Sequence, residues 1–68
     1  MTTIDENEKA IRFFELQWVR AKHDLRIIRY KNGEFQADDY LIHGSKILFF
    51  VSDIPIGWIE TTAIEEVI

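Results

Sequence analysis

Sixty-eight residues with no cysteine make one domain and exclude both a disulfide framework and a zinc-thiolate site. A net charge of −4 and a pI near 5.0 argue against a dedicated nucleic-acid domain, which usually has a basic balance. So short a chain buries only about 60% of the surface its unfolded form exposes, but 47% hydrophobic residues can still fill a small core.

The opening, MTTIDENEK, is acidic and lacks the basic-then-apolar order of a secretory signal. No run approaches the roughly 18 to 20 apolar residues of a membrane span. These features predict a cytoplasmic protein without a membrane partner. Residues 1–7 read as a flexible lead-in in which Thr3 or Asp5 caps the coming helix. Asn7 falls on the apolar seam of that helix, so packing is expected to begin after it.

The segment Glu8 to Leu25, EKAIRFFELQWVRAKHDL, is the one stretch long enough for a sustained helix. At about 100° per residue, Ile11, Phe14, Trp18, Ala21 and Leu25 form one apolar seam. Phe13 and Leu16 fall on the opposite side, among Lys9, Arg12, Arg20 and His23. Aromatic and Arg side chains around an apolar centre have the composition of an interface hot spot. Phe13, Leu16, Arg12, Arg20 and His23 are therefore the candidate partner-binding residues, or a surface for dimerisation through the helix. The plainer reading is that the sheet wraps the helix from two sides and buries Phe13 and Leu16.

Four strands are expected next, over residues 25–31, 34–43, 46–52 and 57–61. Asn32-Gly33 predicts a type I′ hairpin and Gly44-Ser45 a type II′ turn. KILFFVS, residues 46–52, is apolar on both faces and reads as a central strand covered on both sides, by the helix and by either a curled sheet or a second subunit. Asp53-Ile54-Pro55 reads as a break, because proline cannot donate to a ladder. TTAIEEV fits one helical turn, with Glu65 in capping-box position relative to Thr62, and Val67-Ile68 can add a last strand. The fold class is thus α+β: an N-terminal helix, residues 8–25, packed on a four- to five-stranded antiparallel meander spanning residues 26–68.

The tail, ILFFVSDIPIGWIETTAIEEVI, resembles the end of an SH3-like barrel: a strand, a short turn, Gly57-Trp58-Ile59, a helical turn over Thr62 to Glu66, and a final strand. The resemblance covers about a third of the chain. It departs from the family at the peptide groove: the ALYDY-type opening strand is absent, Glu60 stands where proline is usual, and no Asn-Tyr follows. It implies a barrel shape and no proline-peptide groove.

Charge is polarised along the chain. Residues 9–31 carry seven Lys and Arg against Glu15 and Asp24, whereas residues 32–68 carry seven acids against Lys46. The two halves can simply complement each other within the fold; alternatively they present opposed binding surfaces. Lys22, Arg26, Arg29 and Lys31 are the candidate phosphate contacts of a small nucleic-acid-binding regulator, with Phe13, Trp18 or Tyr30 to stack on bases.

Catalytic equipment is sparse. His23 and Asp24 are helix neighbours about 100° apart, and Asp38 and Asp39 alternate across a strand. His43 and Asp39 share a strand face, but a metal needs three or four ligands. No glycine-rich phosphate loop is present. The expectation is no enzyme, no metal and no cofactor. Trp58, beside Gly57, is a second candidate anchor, for which core burial is the expected fate. The chain reads as a non-enzymatic protein-binding module. In size, acidity and lack of cysteine it resembles the small inhibitors encoded by phages and other mobile elements, including anti-CRISPR and anti-restriction proteins, which act on a larger host protein.

Overall fold

The helix begins where Asp5 can cap it. The Asp5 carboxylate accepts the Asn7 N–H at 3.1 Å, and Glu6 and Glu8 lie in the first turn, where the helix dipole favours negative charge. The structure is a computed structural model that describes residues 5–68; Thr3, the other expected cap, lies outside the described residues. Helix α1 spans Glu6–Arg20, two residues earlier at its start and five shorter at its end than the periodicity predicts.

The early end has a local cause. Ala21 is already extended (φ −66°, ψ 139°), and its N–H is shared between the carbonyls of Gln17 and Trp18. Arg26, from the following strand, donates from Nε to the same Trp18 carbonyl at 2.9 Å. Its guanidinium lies 4.3 Å from the centre of the Trp18 ring. Thus Arg26 gives the Trp18 carbonyl, which shares the Ala21 N–H with Gln17, a second and shorter donor at the helix end, and it covers the last core aromatic. Leu25, expected on the seam, and His23, expected on the opposite helix face, both fall in the bend beyond the helix and are exposed.

Six antiparallel strands follow: β1 (Arg26–Tyr30), β2 (Gly33–Ala37), β3 (Asp39–His43), β4 (Lys46–Val51), β5 (Ile54–Glu60) and β6 (Ile64–Val67). They form two three-stranded sheets, ordered β2-β1-β6 and β3-β4-β5. The expected strand over 34–43 is interrupted at Asp38, which passes the chain from one sheet to the other. The α+β class is as read from the sequence, but the last strand returns to pair with β1, so the sheet is not a simple meander.

The turns follow the register. Tyr30 pairs with Gly33, which makes Lys31-Asn32 the two-residue loop and leaves Gly33 (φ 147°) as the first strand residue. Asn32 is not in the left-handed region, so the predicted Asn-Gly centre is corrected by one residue. Gly44 has φ 62°, as a type II′ turn requires of its first central residue. The type I′ pattern appears instead at Ser52 (φ 50°) and Asp53 (φ 67°), between the paired Val51 and Ile54. The expected break at Asp53-Ile54-Pro55 is therefore a tight hairpin, and β5 starts three residues before the predicted 57. Pro55 is tolerated because β5 is an edge strand with a register shift next to it. The predicted helical turn in TTAIEEV is a three-residue 3₁₀ turn, Thr61–Ala63. Glu65 lies in β6 and caps nothing.

Strand β4 is the central strand of its sheet. Ile47 and Phe49 point inward and are fully buried, while the intervening Leu48 points the other way. The core collects Phe14, Trp18, Ile28, Ala37, Ile47, Phe49, Ile64 and Val67. Phe14 is its hub, with ring centroids 4.8 Å from Tyr40, 5.6 Å from Phe49 and 5.6 Å from Trp18. These tilted and edge-on contacts are the favoured aromatic geometry.

The front of the helix is pinned by polar groups. Asn7, expected to precede the packed region, is half-buried and belongs to it. It donates from Nδ2 to the Gly44 carbonyl at 3.0 Å, and its Oδ1 accepts the hydroxyl of Thr61. Thr61 is buried at 1% exposure, so this bond satisfies a hydroxyl shut away from water. Asn7→Ala leaves that hydroxyl unpaired and is expected to cost about 1–3 kcal/mol in denaturant unfolding. Adding Thr61→Val should recover part of the loss, because the second change removes the orphaned group; strictly additive losses would refute the coupling.

Candidate functional site

A helix that buries one stripe exposes the other, and here the exposed stripe is apolar. With Phe14 and Trp18 turned into the core, Phe13, Leu16 and Val19 stand 47%, 48% and 72% exposed on the solvent side. Lys9, Arg12 and Arg20 are exposed around them. Successive offsets of three residues place Phe13, Leu16 and Val19 in one inclined row, with Arg12 and Arg20 at its sides. Val19 was missed in the sequence; its position three residues beyond Leu16 was the available signal.

The sequence-derived set does not stay together. Phe13, Leu16 and Arg12 lie along the helix. Arg20 and His23 border an open cleft of about 450 Å³ between the helix end and β6, with Lys22, Gln17 and Glu66 among its other walls. His23 reaches that cleft from the bend after the helix, not from the helix face.

The basic residues assigned to the nucleic-acid alternative are divided. Arg26 is spent on Trp18 and on the Asp24 carbonyl, 3.0 Å from its terminal nitrogen. Arg29 pairs with Glu66 at 3.2 Å across β1 and β6. Lys22 and Lys31 are exposed. The charge polarity along the chain thus works partly within the fold, where Arg29–Glu66 joins the basic and acidic halves.

A second apolar surface lies on the sheet. Leu48 pairs with Leu41 on one side and Trp58 on the other, forming a cross-strand row on the face opposite Ile47 and Phe49. Trp58 is 50% exposed, which overturns the expectation of core burial. The cause is strand alternation: Ile59 takes the inward position against Ile47, and Trp58 must face out. His43 packs edge-on against it, with ring centroids 6.2 Å apart. Asp39, the residue read as sharing a face with His43, accepts the N–H of Tyr40 at 2.8 Å through its side chain. Among the described residues no cluster of three or more His, Cys, Asp or Glu side chains is arranged to hold a metal ion. No described helix is long and apolar enough to cross a membrane. A smaller cleft of about 210 Å³ opens between the sheets at Tyr30, Phe35 and Ile56.

The Tyr40 phenol has its pKa raised above the ordinary value. Burial, the hydrogen bond its hydroxyl donates to Glu15 at 3.1 Å, and the negative charges of Glu15 and Asp39 all hold the phenol neutral, against a weaker opposing pull from Arg26. No family model, curated protein or solved structure matches the chain.

The direction of the Tyr40 shift fixes its effect on stability. The folded phenol ionises above its ordinary 10.0, so folding favours the protonated form. That contribution is complete below pH 10 and disappears as pH rises through the folded value. Thermal unfolding followed between neutral and strongly alkaline pH should show a steeper decline for the wild type than for Tyr40→Phe. Parallel declines would mean that the phenol is not coupled to folding.

Proposed function

We propose that this chain is a non-enzymatic protein-binding module that uses the outer face of α1 to occupy a surface of a larger protein. The observation that carries the reading is the row Phe13, Leu16 and Val19, 47%, 48% and 72% exposed and bordered by Lys9, Arg12 and Arg20. Apolar anchors with cationic neighbours suit a partner that is apolar at its centre and acidic at its rim. Arg20 and His23, at the neighbouring cleft, extend the same surface past the helix end. Burying these side chains against a partner would recover hydrophobic stabilisation that the isolated chain forgoes.

Within this proposal the chain is a small cytoplasmic inhibitor of the kind encoded by phages and mobile elements, and it acts by steric occupation. Its strands belong to an SH3-like barrel. The pairing of β1 with both β2 and β6, and the 3₁₀ turn before β6, support that assignment. The departures at the peptide groove point away from proline-peptide binding and leave the helix, an addition to such a barrel, as the binding element.

Affinity capture from a native cell extract tests the reading. Phe13→Asp, Leu16→Asp and Arg20→Glu should keep the wild-type circular dichroism and lose the captured protein. Unfolded variants would show that the row is core, and undiminished capture would place the binding surface elsewhere. The nucleic-acid alternative has its own test: labelled DNA and RNA titrated at low and high salt. Because Arg26 and Arg29 are already engaged, we expect no salt-dependent binding at low ionic strength; strong, salt-sensitive binding would make that alternative the better reading.

A further inference from the structure

The sheets end in four edges, and they are not equally protected. The edge of β3 is blunted by Asp39, whose carboxylate takes the Tyr40 N–H. On β6, the N–H of Val67 is taken by the Gln17 side chain at 2.7 Å. Strand β2 is five residues long, and Glu34 and Gln36, beside its outer amides, are polar. Strand β5 is different. It has seven residues, IPIGWIE, and all but Ile59 are exposed.

Its backbone directions can be read from one bond. The Thr61 N–H donates to the Ser45 carbonyl at 2.9 Å, continuing the β4–β5 ladder. Antiparallel pairing alternates, so Ile59 and Gly57 also bond toward β4, and the amides of Glu60 and Trp58 point outward. Ile54, Ile56 and Trp58 stand exposed along this edge. Pro55 and Glu60 are its only protective residues.

We propose that this edge pairs with the β5 edge of a second copy of the chain, giving a two-fold, six-stranded sheet. Three observations select that occupant. The other edges are closed or polar, so the matching open edge is β5 itself. Pairing Trp58 with Glu60 of the partner subunit sets no two like charges opposite each other, since Glu60 is the one charge in the strand. Finally, among the described residues nine large hydrophobic residues are exposed, against eight hydrophobic residues in the buried core. Three of the nine, Ile54, Ile56 and Trp58, lie on β5, so pairing two β5 edges brings both sets together in one contact. The inference does not depend on the helix reading, because α1 is not part of the proposed contact.

Glu60 permits a clean test. Its φ of −61° and ψ of 136° suit proline, its side chain caps nothing, and its N–H points away from β4. Glu60→Pro therefore removes one outward donor while keeping the β4–β5 ladder, and Glu60→Gln controls for the charge. Sedimentation across concentration should show a dimer for the wild type and Glu60→Gln. Glu60→Pro, checked for folding by circular dichroism, should associate at least tenfold more weakly. Should Glu60→Pro fail to fold, amide exchange in the wild type decides: the Trp58 and Glu60 amides must slow as concentration rises. A wild type that stays monomeric to high micromolar concentration, even one that accepts a foreign strand, overturns the proposal. So do assemblies larger than a dimer, a Glu60→Pro variant that associates like the wild type, or exchange that ignores concentration.

Discussion

Phe14 sets the geometry on which the rest of the molecule depends. A fifteen-residue helix is marginal alone in water. This one is held because Phe14 inserts between Tyr40, Trp18 and Phe49, bringing β3 and β4 under the helix in a single aromatic cluster. Asn7 fastens the front of the helix to Thr61 and Gly44, and Arg26 fastens its end to β1. With both ends and the middle fixed, the helix cannot roll. Phe13, Leu16 and Val19 are thereby committed to solvent, and the exposed row is a consequence of the core.

Strand β4 imposes the same logic on the sheet. Its inward residues, Ile47 and Phe49, are needed beneath the helix. Pairing in register then places Leu41, Leu48 and Trp58 together on the outer face. Among the described residues no second layer covers them: Leu41 and Trp58 are exposed and Leu48 is half-buried, so β4 is fully covered on one face only. The apolar side chains that distinguish the protein from a merely stable domain are those the core could not take in, on the helix and on the β3-β4-β5 sheet. Both features proposed to act on partners come from that surplus.

The basic segment shows how composition overstates a surface. Seven Lys and Arg between residues 9 and 31 look like one electropositive patch. Folding sends them to different tasks. Arg26 closes the helix end and stacks on Trp18, Arg29 bridges to Glu66, and Lys9, Arg12 and Arg20 border the exposed apolar row. The pairing of basic and acidic halves inside the fold and the presentation of charge to a partner are both realised, by different residues.

Much of the fold was legible because its signals are local. The 3.6-residue spacing of Ile11, Phe14 and Trp18 marks the helix, β-branched and aromatic runs mark the strands, and Gly44 marks a turn. The two faces of the helix were also legible, since they follow from periodicity alone. What the chain could not declare by itself depends on residues distant in sequence. The helix stops at Arg20 because a side chain at position 26 takes a carbonyl at position 18. Asn7 is packed because Thr61 needs a partner. Trp58 is exposed because Ile59 already fills the place opposite Ile47. Periodicity specifies which side chains share a face; only the packing of elements decides which face is covered, because burial is settled by what lies opposite.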